Sequence, residues 1–133
     1  MNRVLLLATL IAALAMVSSQ NASHSRADDS SGKILRHVVM YKFKDTTTPE
    51  QVQQVVDAFA GLPKKIDAII AFERGTNVSP EGKSEGFTHV FVVTFKDEAS
   101  RDTYLKHPAH DAYVQVVKDK REKVIVFDYW AQK

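Results

Sequence analysis

The stretch "ILRHVVMYKF" (residues 34 to 43) decides the fold, because it is apolar on both of its alternating faces. One face consists of the odd-numbered residues Leu35, His37, Val39, Tyr41 and Phe43. The other face offers Ile34, Val38 and Met40. Successive side chains of a strand point to opposite sides of a sheet. The pattern therefore predicts a β-strand that is covered on both faces.

A helix is predicted directly after this strand. Thr48 is a suitable N-cap, Pro49 suits the first helical position, and Gln51 closes a capping box. The apolar residues that follow have the spacing of one buried helical stripe, namely Val52, Val55, Val56 and Phe59. Gly61 and Pro63 end the helix.

Two more strands are predicted in the middle of the chain, over residues 68 to 74 ("AIIAFER") and 87 to 95 ("FTHVFVVTF"). A glycine-flanked connection, residues 75 to 86, joins them. In the later strand one face is formed by Phe87, His89, Phe91, Val93 and Phe95. Val90 and Val92 occupy the other face.

The second helical region is predicted to be split at a proline. Asp97 caps a short helix that must stop near His107, because Pro108 disfavours helical geometry in the residue before it. A new helix begins at Pro108 and runs to about Lys120, with His110, Tyr113, Val114 and Val117 on one stripe. The stretch "KVIVFDYW" (residues 123 to 130) then forms a fourth strand.

The resulting order is β-α-β-β-α-β with a split second helix, which is an α+β, ferredoxin-like plan. Helices can cover only one face of such a four-stranded sheet, yet several strands are apolar on both faces. The same sheet from a second copy would cover the other face. The sequence therefore predicts a homodimer with a two-fold, self-complementary interface.

The N-terminus predicts an export signal. A basic start at Arg3 is followed by an uncharged apolar run from Val4 to Val17 and then by small polar residues. We expect a signal peptide over residues 1–27, cut near residue 22 or 27, a disordered tail over 28–33 and one domain over 34–130. The apolar run is short for a membrane span of about 20 residues. The protein is thus expected to be periplasmic or secreted, with no membrane attachment after cleavage.

Charge and composition argue against several classes of partner. The chain has 18 Lys+Arg against 16 Asp+Glu. Two of these bases and no acids lie in the first 27 residues, so the remainder is balanced, without the basic face typical of nucleic-acid binding. The absence of cysteine excludes disulfides and thiolate metal sites. His37, His89 and His110 have no Asp or Glu at recognisable ligand spacing, so neither a metal nor a cofactor is expected.

Four stretches carry a family resemblance: "HVVMYKFKD" (37 to 45), "NVSPEGKSEGFTHVFVVTF" (77 to 95), "YLKHPAHDAY" (104 to 113) and "VIVFDY" (124 to 129). Their order and spacing resemble the stress-responsive A/B barrel domain family, also called Dabb, within the dimeric α+β barrel group. The resemblance covers about residues 34 to 130 and implies a small dimeric barrel. Most members have no known role.

One enzyme of that family closes a linear polyketide by an aldol condensation. In that enzyme a histidine of the H-P-A-H motif is the base, and a tyrosine shortly before the motif binds the substrate oxygen. The resemblance places these roles on His110 and Tyr104, and pocket positions on His37 and His89. The further predicted pocket residues are His107, Tyr41, Phe91 and Tyr113.

The proline break makes such a site possible, because it lets Tyr104 and His110 face a common space above the sheet. The first-turn position of His110 disfavours the imidazolium by about 0.3–1 kcal/mol, which leaves the neutral imidazole that a general base requires. The chemistry would be proton abstraction next to a carbonyl, with the Tyr104 hydroxyl bonded to the developing enolate. A small apolar carbonyl compound is the expected ligand.

A non-catalytic interpretation stands beside this one. His107 can cap the end of its helix and His110 can be a core histidine, in an exported stress-response or small-ligand-binding module whose buried histidines stabilise the fold. The alternative is an enzyme of the cyclase or lyase type. An enzyme requires an open cavity of about 300 Å³ or more between the sheet and the split helix, whereas side chains fill that space in a structural module.

Overall fold

The computed structural model describes residues 32 to 132. The predicted signal peptide and most of the predicted tail lie outside the described residues. The elements in chain order are β1 (Leu35–Phe43), α1 (Pro49–Ala60), a 3₁₀ turn (Leu62–Lys64), β2 (Ala71–Thr76), β3 (His89–Phe95), α2 (Glu98–Leu105), α3 (Pro108–Val117) and β4 (Arg121–Trp130). This order confirms the ferredoxin-like α+β prediction and the split of the second helix.

The four strands form one antiparallel sheet in the order β2-β3-β1-β4. The central strand β1 places His37 opposite Val93 of β3 on one side and opposite Asp128 of β4 on the other. Residues that lie directly opposite one another point to the same face of a sheet. His37, Val93 and Asp128 therefore share one face, which is called the inner face below.

The core lies between the inner face and the helices. Helix α1 begins at the predicted capping box: the backbone N–H of Gln51 donates to Thr48 Oγ1 at 3.2 Å, and the backbone N–H of Thr48 donates to Gln51 Oε1 at 2.9 Å. Its predicted stripe packs on the sheet, with Val55, Val56 and Phe59 buried. The buried residues of the sheet include Leu35, Val39, Tyr41, Phe91, Val93 and Phe95.

Two boundaries differ from the sequence prediction. Strand β2 begins at Ala71 rather than at residue 68, because the chain is still turning there: Ile69 N–H donates to the Ile66 carbonyl at 3.2 Å. Both isoleucines are buried, so their apolar character serves the core and not strand pairing. Helix α3 ends at Val117 rather than near Lys120, whose carbonyl instead accepts the backbone N–H of Lys44 at 3.0 Å.

Strand β4 forms an edge of the sheet and exposes apolar side chains on both of its faces. Val126 is 55% exposed on the inner face, and Phe127 is 60% exposed on the outer face. Ile125 and Tyr129 add to the apolar surface on the outer face. Within residues 32 to 132, no helix is long and apolar enough to cross a membrane.

Candidate active site

The helix break occurs where the sequence predicted it and brings two helices over the same part of the sheet. Helix α2 ends at Leu105, and His107 is the N-cap of α3. The backbone N–H of Ala109 donates to His107 Nδ1 at 3.0 Å. This cap begins α3, whereas the non-catalytic interpretation expected His107 to cap the end of the preceding helix. The His107 ring is thus engaged in the cap, and Tyr104 and His110 lie on either side of the break.

Tyr104 and His110 meet His37 on the inner face. The ring centroids of Tyr104 and His110 are 4.6 Å apart, and those of His37 and Tyr104 are 5.6 Å apart. Phe95 closes the group from β3, with its ring centroid 6.2 Å from that of His37. Only 1% of Tyr104 and 4% of His37 is exposed. Three of the predicted site residues therefore form one cluster, the His37–Tyr104–His110 cluster, in which His37 and Tyr104 are buried and His110 is half-buried.

His110 has a buried ring nitrogen without a partner. Its Nδ1 has no hydrogen bond within the part of the chain that the structure describes. Burial lowers the pKa of His110, and the positive charge of a protonated His37 acts in the same direction. The Asp111 carboxylate and a hydrogen bond to the backbone of Leu105 oppose this shift. The lowered pKa favours a neutral imidazole near pH 7, as a general base requires.

The Tyr104 hydroxyl is kept in its protonated form. Burial raises its pKa, and the negative charges that Tyr41 and Asp128 carry when ionised raise it further. A phenol with a raised pKa remains an O–H donor over the whole physiological pH range. Tyr104 can therefore donate a hydrogen bond to a carbonyl oxygen or to a developing enolate.

Two residues of this region were missed by the sequence analysis. Asp128 Oδ1 lies 2.6 Å from His37 Nδ1, and Asp128 Oδ2 accepts a hydrogen bond from Arg101 Nη1 at 3.0 Å. Asp128 is the only acid within the apolar stretch "VIVFDYW" (residues 124 to 130). A single carboxylate in such a stretch indicates that a polar side chain on a neighbouring element pairs with it. The pairing with His37 depends on strand register, which is not visible in the sequence.

Aromatic side chains fill the middle of the inner face. The Tyr113 hydroxyl donates to the Tyr41 hydroxyl at 2.8 Å, and burial raises the pKa of both phenols. Phe91 stacks on Phe59 with ring centroids 4.4 Å apart. The guanidinium of Arg121 lies 5.9 Å from the centroid of the Tyr41 ring. Tyr41 and Tyr113 therefore act as a wall rather than as an open lining, whereas Phe91 both adds to this wall and lines a cleft beside α1.

His89 lies at the other end of the inner face. It is opposite Tyr41, four positions along β1 from His37, or about 13 Å at the rise of a strand. Its Nδ1 is 2.8 Å from Thr88 Oγ1, and its ring packs against Phe43 with centroids 5.2 Å apart. Burial lowers the pKa of His89. The structure therefore does not bring His89 into the His37–Tyr104–His110 cluster.

Two clefts adjoin His89. One, of about 400 Å³, lies between α1 and the β2–β3 edge, and its lining residues are Gln53, Val56, Arg74, Gly75, Thr76, His89 and Phe91. The other, of about 740 Å³, lies on the outer face under the 77–88 loop and reaches Met40, Val90 and Ile125. The first exceeds the volume expected for an enzyme but lies beside α1 and not beside the split helix. Among residues 32 to 132, no three histidine, aspartate or glutamate side chains could hold a metal ion.

The fold and the sheet order define a ferredoxin-like α+β protein. The chain belongs to the stress-responsive A/B barrel domain family, whose sequence model matches residues 35–131. The family resemblance that the sequence motifs carried is thereby confirmed.

Relatives of the chain span this domain. The stress-response A/B barrel domain-containing protein HS1 of Arabidopsis thaliana is 34% identical over 71% of this chain and 87% of the relative. Olivetolic acid cyclase of Cannabis sativa is 32% identical over 74% of this chain and 98% of the cyclase. A solved structure from Bacteroides fragilis, described as a dimeric protein of unknown function with a ferredoxin-like fold, has a TM-score of 0.61 at 25% identity, over 74% and 96% of the two chains.

Proposed function

We propose that this protein binds a small carbonyl compound and transfers a proton at the His37–Tyr104–His110 cluster, as an enzyme of the cyclase or lyase type would. The observation that carries the proposal is the buried, partnerless Nδ1 of His110 beside the Tyr104 ring. Buried polar atoms without partners are rare, and each costs about 1–3 kcal/mol. A bound ligand would satisfy this nitrogen. Neither cleft described above reaches the cluster, so the proposal requires α2 and α3 to part from the sheet when the ligand binds.

The proposed step uses the two side chains in different roles. A neutral His110 takes the proton from a carbon next to a carbonyl group, and the electron pair moves onto the carbonyl oxygen. The protonated hydroxyl of Tyr104 donates a hydrogen bond to that oxygen as its charge develops. The lowered pKa of His110 and the raised pKa of Tyr104 both support these roles. The relation to a protein named olivetolic acid cyclase supports the same class of chemistry.

A second candidate function is a non-catalytic module, and the packing of the inner face favours it. Tyr104 is 1% exposed, and the Tyr41–Tyr113 pair separates it from the end of the sheet where the 400 Å³ cleft opens. A module of this kind would use the cleft beside His89 for a small ligand or would bind none. In that case the cluster stabilises the fold.

Histidine titration by NMR separates the two candidates. We would follow the ring resonances of the histidines in the wild-type protein and in Tyr104→Phe, with and without a small β-diketone. Tyr129→Phe is the matched control, because it removes a tyrosine hydroxyl on the outer face, away from the cluster, and keeps the ring that the proposed dimer interface would cover. An acid/base site predicts that the diketone shifts His110 and that only Tyr104→Phe weakens this shift. A His110 signal that ignores both the diketone and Tyr104→Phe would refute the catalytic proposal.

The proposed assembly is a homodimer through the outer face of the sheet. The exposed apolar residues of β4 and the description of the Bacteroides fragilis neighbour as dimeric support it. Phe127→Asp would place a charge within such an interface, so we expect a monomer by size-exclusion chromatography with light scattering. Ile70→Asp is the control, because Ile70 is exposed near the β2 edge. A wild-type monomer would contradict the proposal.

We also propose that the protein is exported to the periplasm or the cell exterior. The support is the basic start and apolar run of the predicted signal peptide, residues 1–27. Fractionation of cells that express the full chain, with N-terminal sequencing of the recovered protein, tests this. A protein that is recovered intact from the cytoplasm would refute it.

A further inference from the structure

A chain of three polar side chains runs along one end of the inner face. Arg101 comes from α2, Asp128 from β4 and His37 from β1. Arg101 Nη1 donates to Asp128 Oδ2 at 3.0 Å, and His37 Nδ1 lies 2.6 Å from Asp128 Oδ1. Each oxygen of the carboxylate therefore has its own partner. Three separate elements of the fold converge to make this arrangement.

The sheet itself sets the contact between His37 and Asp128. The two residues are directly opposite in the β1–β4 register, so their side chains stand on the same face. The His37 side chain is 5% exposed, whereas those of Asp128 and Arg101 are 26% and 21% exposed. The partly exposed Arg101–Asp128 pair thus holds the buried His37 ring, and the packing around that ring constrains its orientation.

The chemistry of the carboxylate fixes the proton on the imidazole. An ionised carboxylate is only an acceptor, so the His37 nitrogen that faces it must carry the hydrogen. In neutral His37 the hydrogen is then on Nδ1, and Nε2 is left with a free lone pair. The same logic applies in Asp–His pairs of hydrolases, where the aspartate sets the tautomer of the catalytic histidine.

We propose that Asp128 and Arg101 are positioning residues that hold His37 in its Nδ1–H tautomer, and that His37 Nε2 is a second proton acceptor of the His37–Tyr104–His110 cluster. The role of Nε2 as a proton acceptor rests on the function proposed above. The assignment of the Nδ1–H tautomer does not depend on that function. When Nε2 accepts a proton from a carbon acid, the C–H bond breaks, an N–H bond forms and the electron pair moves to the carbonyl oxygen. Asp128 then faces the imidazolium in a charge-assisted hydrogen bond.

The groups around His37 fit this assignment. Asp128 faces it from β4, Tyr104 from α2 and Phe95 from β3, while His110 on α3 is near enough to feel its charge. Among the described residues, His110 has no comparable contact at its own Nδ1. The cluster therefore holds two imidazoles of different character, one bound to a carboxylate and one with a partnerless nitrogen. A reaction that removes a proton at one atom and returns it at another can use two such groups.

The test is to read the tautomer of His37 directly. In protein labelled with ¹⁵N at histidine, long-range ¹H–¹⁵N correlations show which ring nitrogen carries the hydrogen. We expect the Nδ1–H form in the wild type at a pH where His37 is neutral. Asp128→Asn should reverse the majority tautomer to Nε2–H. Arg101 would bind the amide oxygen, which leaves the amide N–H₂ to donate to His37 Nδ1.

Two further variants separate positioning from packing. In the double variant Arg101→Met with Asp128→Asn, nothing fixes the amide oxygen, so part of the Nδ1–H form should return. Asp102→Asn is the matched control, because Asp102 also binds Arg101, through Nε at 3.1 Å and Nη2 at 3.0 Å, and no contact joins it to His37. Asp102→Asn should leave the tautomer unchanged. Retained dispersion of the amide spectrum confirms that each variant is folded.

The outcomes distinguish this inference from the function on which it builds. An Nε2–H tautomer in the wild type, or no reversal in folded Asp128→Asn, overturns the positioning role. If the tautomer reverses in Asp128→Asn and the diketone-induced shift of His37 is lost, both parts of the inference are supported. If the tautomer reverses but the diketone never affects His37, the second-acceptor role is refuted. A failure of the diketone to shift His110 bears on the proposed function alone.

Discussion

The two ends of the inner face carry histidines in very different surroundings. At one end His37 is buried between Asp128 and Tyr104, and at the other His89 packs against Phe43 beside open clefts. Both are strand residues with aromatic neighbours, so their local sequences look alike. What differs is the covering layer: the split helix closes the first end, whereas the second lies where a loop and α1 leave space.

A wall of aromatic rings keeps the two ends apart, and its loss should have the largest effect. Phe59 stacks on Phe91 and also packs against Tyr113, with ring centroids 4.6 Å apart. Phe59→Ala removes a fully buried ring, so we expect a loss of about 3–5 kcal/mol in the free energy of unfolding. Urea denaturation measures it. The same change at Phe127, which is exposed in the monomer, provides the comparison, with dimerisation monitored.

The stability of the closed end should depend on Asp128 more than on Asp102, the other carboxylate that Arg101 binds. Asp128→Ala leaves the buried His37 Nδ1 without a partner, and we expect a loss of about 1–3 kcal/mol, nearer the lower limit because Asp128 is partly exposed. Asp102→Ala removes the other carboxylate bound to Arg101 and should cost about 0–1 kcal/mol. Equal losses in the two variants, measured by thermal unfolding, would show that the His37 contact adds nothing.

The hydroxyl pair in the wall should contribute a smaller amount. Tyr113→Phe keeps the ring and removes the donor of the 2.8 Å hydrogen bond to Tyr41. Loss of one buried hydrogen bond typically costs about 0.5–1.5 kcal/mol. Tyr129→Phe keeps the ring on the outer face and should be nearly neutral by comparison, with dimerisation monitored. Chemical denaturation measures the free energy of unfolding of both variants. Equal values would show that the Tyr113 hydroxyl contributes no stabilising hydrogen bond.

The smallest expected effect is on the pH dependence of stability. It allows a direct comparison of His110 at the closed end with His89 at the open end. The pKa values of His110 and His89 are both lowered in the folded protein, so the unfolded chain binds more protons as the pH falls below about 6.5. Stability should therefore fall with decreasing pH from that point. His110→Gln and His89→Gln should each reduce this dependence, as unfolding curves at several pH values would show. Unchanged pH dependence in both variants would contradict the lowered pKa values.

Much of the fold was visible in local sequence patterns. The capping box at Thr48, the Asp97 cap and the break at Pro108 each depend on a few neighbouring residues, and all three occur as predicted. Strand β2 was misplaced because Ile69 is buried in a turn, and apolar character alone does not distinguish a turn that packs into the core from a strand. The candidate site was predicted in part, since the motif placed Tyr104 and His110 near His37.

The sequence by itself determined the order of the elements and the family, because both are recorded in short-range patterns of polarity, capping and proline. Only the tertiary structure decided which histidines lie together. The β1–β4 register sets Asp128 against His37, and the position of α2 brings Arg101 to that carboxylate from 27 residues away. Register and helix placement are fixed by packing over the whole core, so no local stretch encodes them.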